Sequence, residues 1–431
     1  MNLLSGNGLQ QTTNYRVVFC LFIFMLLLHF FLGSLLLLIH SDIYDIKTHY
    51  FHPYTLTIVH TMALGWATMI IFGASHQLLP VLIEGKLDSN LLAYLTFGFT
   101  SIGIPFIAYA FYNWQVGFPM KIGAVLINLG VICYLVNIIS SIYYSTKKRC
   151  THVVYFCGIY LAFFQQRFFG LLLVFNFSYP LLPDNSLDYL TLHSHLGIIG
   201  WFLLLVIGVG SRLIPMFLIS KYTNVKQLWI IFTLVNISLL SFIVLRILQF
   251  ESVYYFISIF LSLLAIVFFV QYCLRAYKVR IRKSVDEQMK ISLLSVLLML
   301  APLLVLLIVL LMIPVDKNYN MATLYGFCIF FGWLTAIILG MTFKTLPFIV
   351  WNKVYRRISH AGKTPVPKDL FKESIFNWMA ITYIFGFIIF VLGLVFSISI
   401  ILKIGAFSLF ASSILYILNV IIILTHQSKV S

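Results

Sequence analysis

Runs of eighteen or more apolar residues recur along the whole chain, and this feature restricts the fold more than any other. Each run can cross a hydrocarbon core about 30 Å thick as an α-helix. Helices are expected because unpaired backbone groups are costly in lipid, and the alternating pattern of a membrane barrel is missing from the sequence. Twelve candidate spans centre near Leu28, Met69, Gly103, Val131, Phe163, Leu205, Leu239, Leu261, Leu303, Phe331, Phe387 and Leu415. The sequence therefore predicts an all-α polytopic membrane protein, one domain over residues 1–431.

The positions of the charges orient this predicted bundle. Only 9% of the residues are charged, against about 25% in soluble domains. With twelve spans, 20 of the 28 Lys and Arg fall at the termini or in even-numbered connections, and four fall in odd-numbered connections. This bias predicts cytoplasmic termini, so the net charge of +16 needs no nucleic-acid partner. The composition suits a bacterial inner membrane, with the lipid bilayer as surroundings.

A frame of the form G-W-x6-G-x6-P occurs three times. The copies start at Gly65-Trp66, Gly200-Trp201 and Gly332-Trp333. Their tryptophans are 135 and 132 residues apart, an interval of four spans. We therefore expect three four-helix repeats, near residues 1–146, 147–283 and 284–431, around a pseudo-threefold axis.

The repeated spacing of glycine, tryptophan and proline within the frame has two interpretations. Gly73 and Gly208, with Trp66 and Trp201, would line a flat cofactor that approaches the helix backbone closely. Alternatively, the frame serves helix packing alone.

Two histidines occupy equivalent frame positions. His60 and His195 each lie six residues before the tryptophan of their copy, and the third copy has Phe327 there. Equivalent positions predict equal depth, near the outer end of each span. Two imidazoles that face each other at one level are the ligands of a six-coordinate heme iron. The alternative is two unrelated histidines that bond to carbonyls. The matched positions favour the pair as ligands of a b-type heme.

Other histidines allow further sites. His193 precedes His195 by two residues, so the two side chains diverge by roughly 200° on a helix. A second heme or metal at His193 competes with hydrogen bonding or solvation there. His40, His49 and His52 cluster in the first outer loop, where they bind copper or zinc, relay protons or are simply solvated.

These residues resemble subunit I of the heme–copper oxidase superfamily, which has twelve helices in three four-helix arcs. His60, Gly73 and Pro80 are similar to its second helix, and His193-Ser194-His195 with Gly208 and Pro215 is similar to its tenth. The resemblance implies a low-spin heme on His60 and His195 and a high-spin heme on His193. The family's copper-binding histidines have no counterpart, so copper is not expected. A looser resemblance links the chain to NnrS-like membrane heme proteins.

The expected function is electron transfer, or handling of a diatomic gas such as nitric oxide or O2, through one or two b-type hemes. A redox partner subunit or cytochrome would supply the electrons, and whether the chain catalyses an oxidoreduction stays open. The competing functions are a cofactor-free secondary transporter and a structural membrane subunit. Transporters bind near the midplane, where this chain is almost uniformly apolar.

Overall fold

The computed structural model describes residues 28–42, 51–83, 86–144, 168–312, 319–355 and 364–428. Within these ranges the chain is helical and forms no strand. The helices are α1 (Leu28–Ile39), α2 (Pro53–His60, Thr61–Thr68 and Met69–Leu82), α3 (Asn90–Tyr112), α4 (Phe118–Tyr143), α5 (168–176), α6 (Leu190–His195, Leu196–Leu203 and Leu204–Phe217), α7 (Val225–Ile247), α8 (Tyr255–Lys278), α9 (Glu287–Leu298 and Leu300–Met312), α10 (Tyr319–Phe327, Cys328–Leu334 and Thr335–Tyr355), α11 (Glu373–Phe396) and α12 (Ser399–Leu424).

Ten of the described helices, α2–α4 and α6–α12, are long and apolar enough to cross a membrane. The prediction of a multi-pass, all-α membrane protein is thereby confirmed. The span predicted near Leu28 is described only from that residue onward, as the short apolar helix α1. The span predicted near Phe163 lies outside the described residues.

The three copies of the repeated frame lie on α2, α6 and α10, which we call the motif helices. Each widens into a π-helical segment that contains the glycine–tryptophan pair: Thr61–Thr68, Leu196–Leu203 and Cys328–Leu334. Each segment begins directly after the frame position of His60, His195 or Phe327. Single π turns in proteins are concentrated at functional sites. The frame therefore marks a common backbone irregularity and not only a common composition.

Side-chain hydroxyls bond the carbonyls of these π segments. Thr68 donates to the carbonyl of Ala63 at 2.7 Å, and Thr335 donates to that of Phe330 at 2.6 Å, five residues back in both cases. Tyr383 of α11 donates to the carbonyl of Gly332 at 2.7 Å. Buried carbonyls need such partners in a membrane interior, so these hydroxyls stabilise the wide turns.

Each motif helix is followed by a helical hairpin: α3–α4, α7–α8 and α11–α12. In the first hairpin a Cβ atom at Gly103 would lie only 2.9 Å from the carbonyl oxygen of Gly123, so the two backbones touch there. Small residues at the crossing allow this approach, as is common between membrane helices. The motif helices are the most buried of the ten spans. They form the interior of the bundle, and the hairpins cover them.

Candidate functional site

Two cavities meet between the N-terminal halves of the motif helices. The larger, the central cavity, measures about 710 Å³ and is bounded by α1, α2 and α6 to α11. The smaller, the side cavity, measures about 80 Å³ and lies among α2 to α6. The residues that line both are Leu56, His60, Leu64, Leu190 and His193. The boundary between the two cavities is therefore formed by two histidines and three leucines.

His60 of α2 and His193 of α6 face each other at this boundary. Their ring centroids are 6.4 Å apart and their planes differ by 14°. The Nδ1 atom of His60 donates a hydrogen bond to the carbonyl of Leu56 at 2.7 Å, one turn earlier. In the neutral imidazole that bond leaves the proton on Nδ1 and the lone pair on Nε2. The ring of Phe111 packs against His60, with ring centroids 4.6 Å apart.

The backbone of α5 supports the second ring of the pair. A Cβ atom at Gly170 would lie 2.8 Å from Cε1 of His193, closer than side chains tolerate. Only glycine lets the helix approach the ring this closely. The sequence pattern did not point to Gly170, because α5 lies before the second copy of the repeated frame and contains no part of any copy. A second glycine plays the same part for His29 of α1, whose ring would clash with a Cβ atom at Gly65.

His195 has different neighbours. Its Nδ1 donates to the carbonyl of Thr191 at 2.8 Å, so Nε2 is the acceptor and receives the hydroxyl of Tyr325 at 3.3 Å. The ring of Phe242 lies 4.5 Å away. His195 thus pairs with α10 across the central cavity and makes no ring contact with His60.

The structure places His60 beside His193 and His195 beside Tyr325, so the two histidines expected to pair have different neighbours, and helix geometry gives the reason. A residue eight before the tryptophan lies roughly 200° around the helix from a residue six before it, so the two side chains face different neighbours. His60 accordingly contacts His193, and His195 contacts Tyr325. In each pair the first residue lies six positions before the tryptophan of its own copy, and the second lies eight positions before the tryptophan of the next copy.

The third position of the frame carries no polar group. Phe327 stacks on Phe331, Phe387 and Phe390, with centroids 4.3 to 5.5 Å apart. Packed aromatic rings fill this part of the bundle. Of the three residues at this frame position, His60 and His195 are therefore the two with a polar side chain.

Four residues expected to line a flat cofactor pack between helices instead. Trp66 is fully buried, stacks on Phe30 at 4.6 Å and donates to the hydroxyl of Thr335 at 3.3 Å. Trp201 is also fully buried and packs against Phe202. Gly73 and Gly208 are buried, and neither they nor the two tryptophans line either cavity. The packing interpretation of the frame fits these four residues.

His40 and His52 flank Tyr54 in the lining of the central cavity. His40 stacks on Tyr54 at 3.7 Å, and His52 meets the same ring edge-on at 4.9 Å. His49 lies outside the described residues. Within the described ranges no group of three His, Cys, Asp or Glu side chains is placed to hold a metal ion. His40, His52 and Tyr54 form an aromatic cluster.

The fold defines the class of protein as a multi-pass helical membrane protein with a histidine pair between two motif helices. The chain matches no protein-family model and no curated protein.

Proposed function

We propose that the protein is a membrane heme protein in which His60 and His193 are the axial ligands of one b-type heme. The observation that carries the proposal is the pair of nearly parallel imidazoles 6.4 Å apart. Two imidazoles that ligate one metal ion from opposite sides, at about 2 Å each, have ring centroids roughly 6 Å apart. The separation within the pair fits a single iron between the rings.

The surroundings of the pair also fit a porphyrin. The gap between the rings opens on the central cavity to one side and on the side cavity to the other. Leu56, Leu64 and Leu190 line both, so the space around the gap is apolar, as the macrocycle requires. The Leu56 carbonyl orients the ring of His60 through Nδ1, which is the usual arrangement behind a metal-ligating histidine.

The role that follows is electron transfer within the membrane. A heme with two protein ligands supplies one-electron chemistry and offers no open position to a gas. The chain orients the two imidazoles and excludes water with leucine side chains. A redox partner subunit or cytochrome is the proposed source of electrons, and nitric oxide or O2 would need a different site. This assignment replaces His195 by His193 as the second ligand.

The arrangement of the repeats is part of the proposal. The pairing of His60 with His193 and of His195 with Tyr325 runs in one direction around the bundle. That direction supports three four-helix repeats about a pseudo-threefold axis. The charge bias supports an orientation with cytoplasmic termini, and the low-charge, apolar composition suits a bacterial inner membrane.

The test is the heme content of the full chain, purified in detergent after expression with a heme precursor. We expect a red protein with one b-type heme per chain by the pyridine hemochrome assay. Carbon monoxide should leave the reduced spectrum unchanged, because both axial positions are filled by the protein. A colourless protein, as a transporter or a structural subunit would be, contradicts the proposal.

A further inference from the structure

The central cavity extends beyond the histidine pair, along the opposite face of α6. Most of its lining is aliphatic or aromatic. Its polar groups include the His195–Tyr325 pair and Arg246, which lies near the C-terminal end of α7. A volume of about 710 Å³ is within the range of pockets that enclose small organic ligands.

The His195–Tyr325 pair is too close for a metal ion between its two atoms. Two axial ligands at about 2 Å each hold their donor atoms roughly 4 Å apart across an iron. The Nε2 of His195 and the hydroxyl of Tyr325 are 3.3 Å apart and share a hydrogen. In this arrangement the two atoms satisfy each other. A ligand oxygen that inserts between them can donate to Nε2 of His195 as a hydroxyl, or accept from the hydroxyl of Tyr325 as a carbonyl.

One wall of the cavity lies close to the lipid-facing surface of the bundle. Leu303, Leu306 and Leu310 of α9 line it, while Leu304, Ile308 and Leu311 of the same helix are between 46% and 66% exposed. Within the described residues, a single helix thus separates the cavity from the bilayer on this side. A ligand that enters there is apolar over most of its surface and uncharged.

We propose that the central cavity binds the ring of a lipid-soluble quinone or quinol, hydrogen-bonded by His195 and Tyr325. Such a ring is flat and neutral and carries an oxygen that is a carbonyl in one form and a hydroxyl in the other. The pair serves both forms. The role of the quinone rests on the proposed heme function. His193 and His195 lie on opposite faces of α6, so the quinone ring would lie about one helix width from the heme. The quinol would then be the electron donor.

The experiment is a titration of the full-length protein in detergent with decylubiquinone, followed by quenching of tryptophan fluorescence. Trp333 lines the cavity, whereas Trp66 and Trp201 do not. We expect saturable quenching that disappears in Trp333→Phe. Tyr325→Phe should weaken binding about tenfold, since one hydrogen bond to the ligand is lost.

The matched control is Tyr189→Phe. Its hydroxyl also makes a 3.3 Å hydrogen bond, to Asp184, but it does not line the cavity, so the affinity should not change. Equal affinity in both tyrosine variants, or no saturable quenching, overturns the proposal. A second heme per chain that is lost in His195→Ala also overturns it, because a heme would then fill the cavity. Quenching that persists in a colourless protein refutes the heme assignment alone.

Discussion

Replacing His193 with alanine is expected to abolish the low-spin heme spectrum, whereas replacing His195 leaves that spectrum in place. The two residues are separated by a single serine on the same helix, and only His193 faces His60. Without one axial imidazole the iron loses its six-coordinate, low-spin state. Absorption spectra of the reduced proteins, recorded at equal protein concentration, measure the effect.

His195→Ala is the matched control, because it removes the same side chain from the same turn of α6. His60→Ala should behave like His193→Ala, since both ends of the pair are needed. The assignment fails if His195→Ala loses the spectrum and His193→Ala keeps it. That result would restore the pairing expected from equal frame positions.

Replacing Gly170 with valine is expected to lower heme affinity by about 10- to 100-fold, as losses of supporting residues around metal ligands do. The added Cβ would lie 2.8 Å from the ring of His193, and that ring is the movable end of a side chain. The ring shifts away from its position opposite His60, while the helices around it stay packed. Heme titration of the protein purified without heme measures the affinity.

Gly98→Val on α3 provides the comparison, because a Cβ atom at that glycine meets nothing within 4 Å. It should bind heme like the unmodified protein, and both variants should elute as folded monodisperse species. Equal heme affinities in the two variants would show that the approach of α5 to His193 has no part in ligation.

The number and positions of most helices follow from the sequence, since long apolar runs leave few alternatives in lipid. The repeated frame also located the three motif helices. The π-helical segments could not be foreseen, because an extra residue in a turn changes neither composition nor hydropathy. A partial signal exists in Thr68 and Thr335, which both lie two residues after the tryptophan of their copy, where the second copy has Leu203.

The sequence singled out His60, His193 and His195 but did not predict which of these side chains lie next to each other. Equal frame position led to the expected pairing of His60 with His195, whereas His60 lies against His193 and His195 against Tyr325. The separation of about 200° between His193 and His195 already showed that the two side chains lie on opposite faces of α6, so that only one of them could face His60. Tyr325 occupies the position of His193 in the third copy, and that correspondence could have identified it as a partner. Gly170 could not be identified without coordinates.

The most direct measurement of the central claim is the electron paramagnetic resonance spectrum of the oxidised, unmodified protein. Two imidazoles whose planes differ by only 14° should give a rhombic low-spin ferric signal, one per chain. The signal should vanish in His60→Ala and in His193→Ala and persist in His195→Ala. An oxidised protein that shows only high-spin iron, or no iron signal at all, would contradict the account.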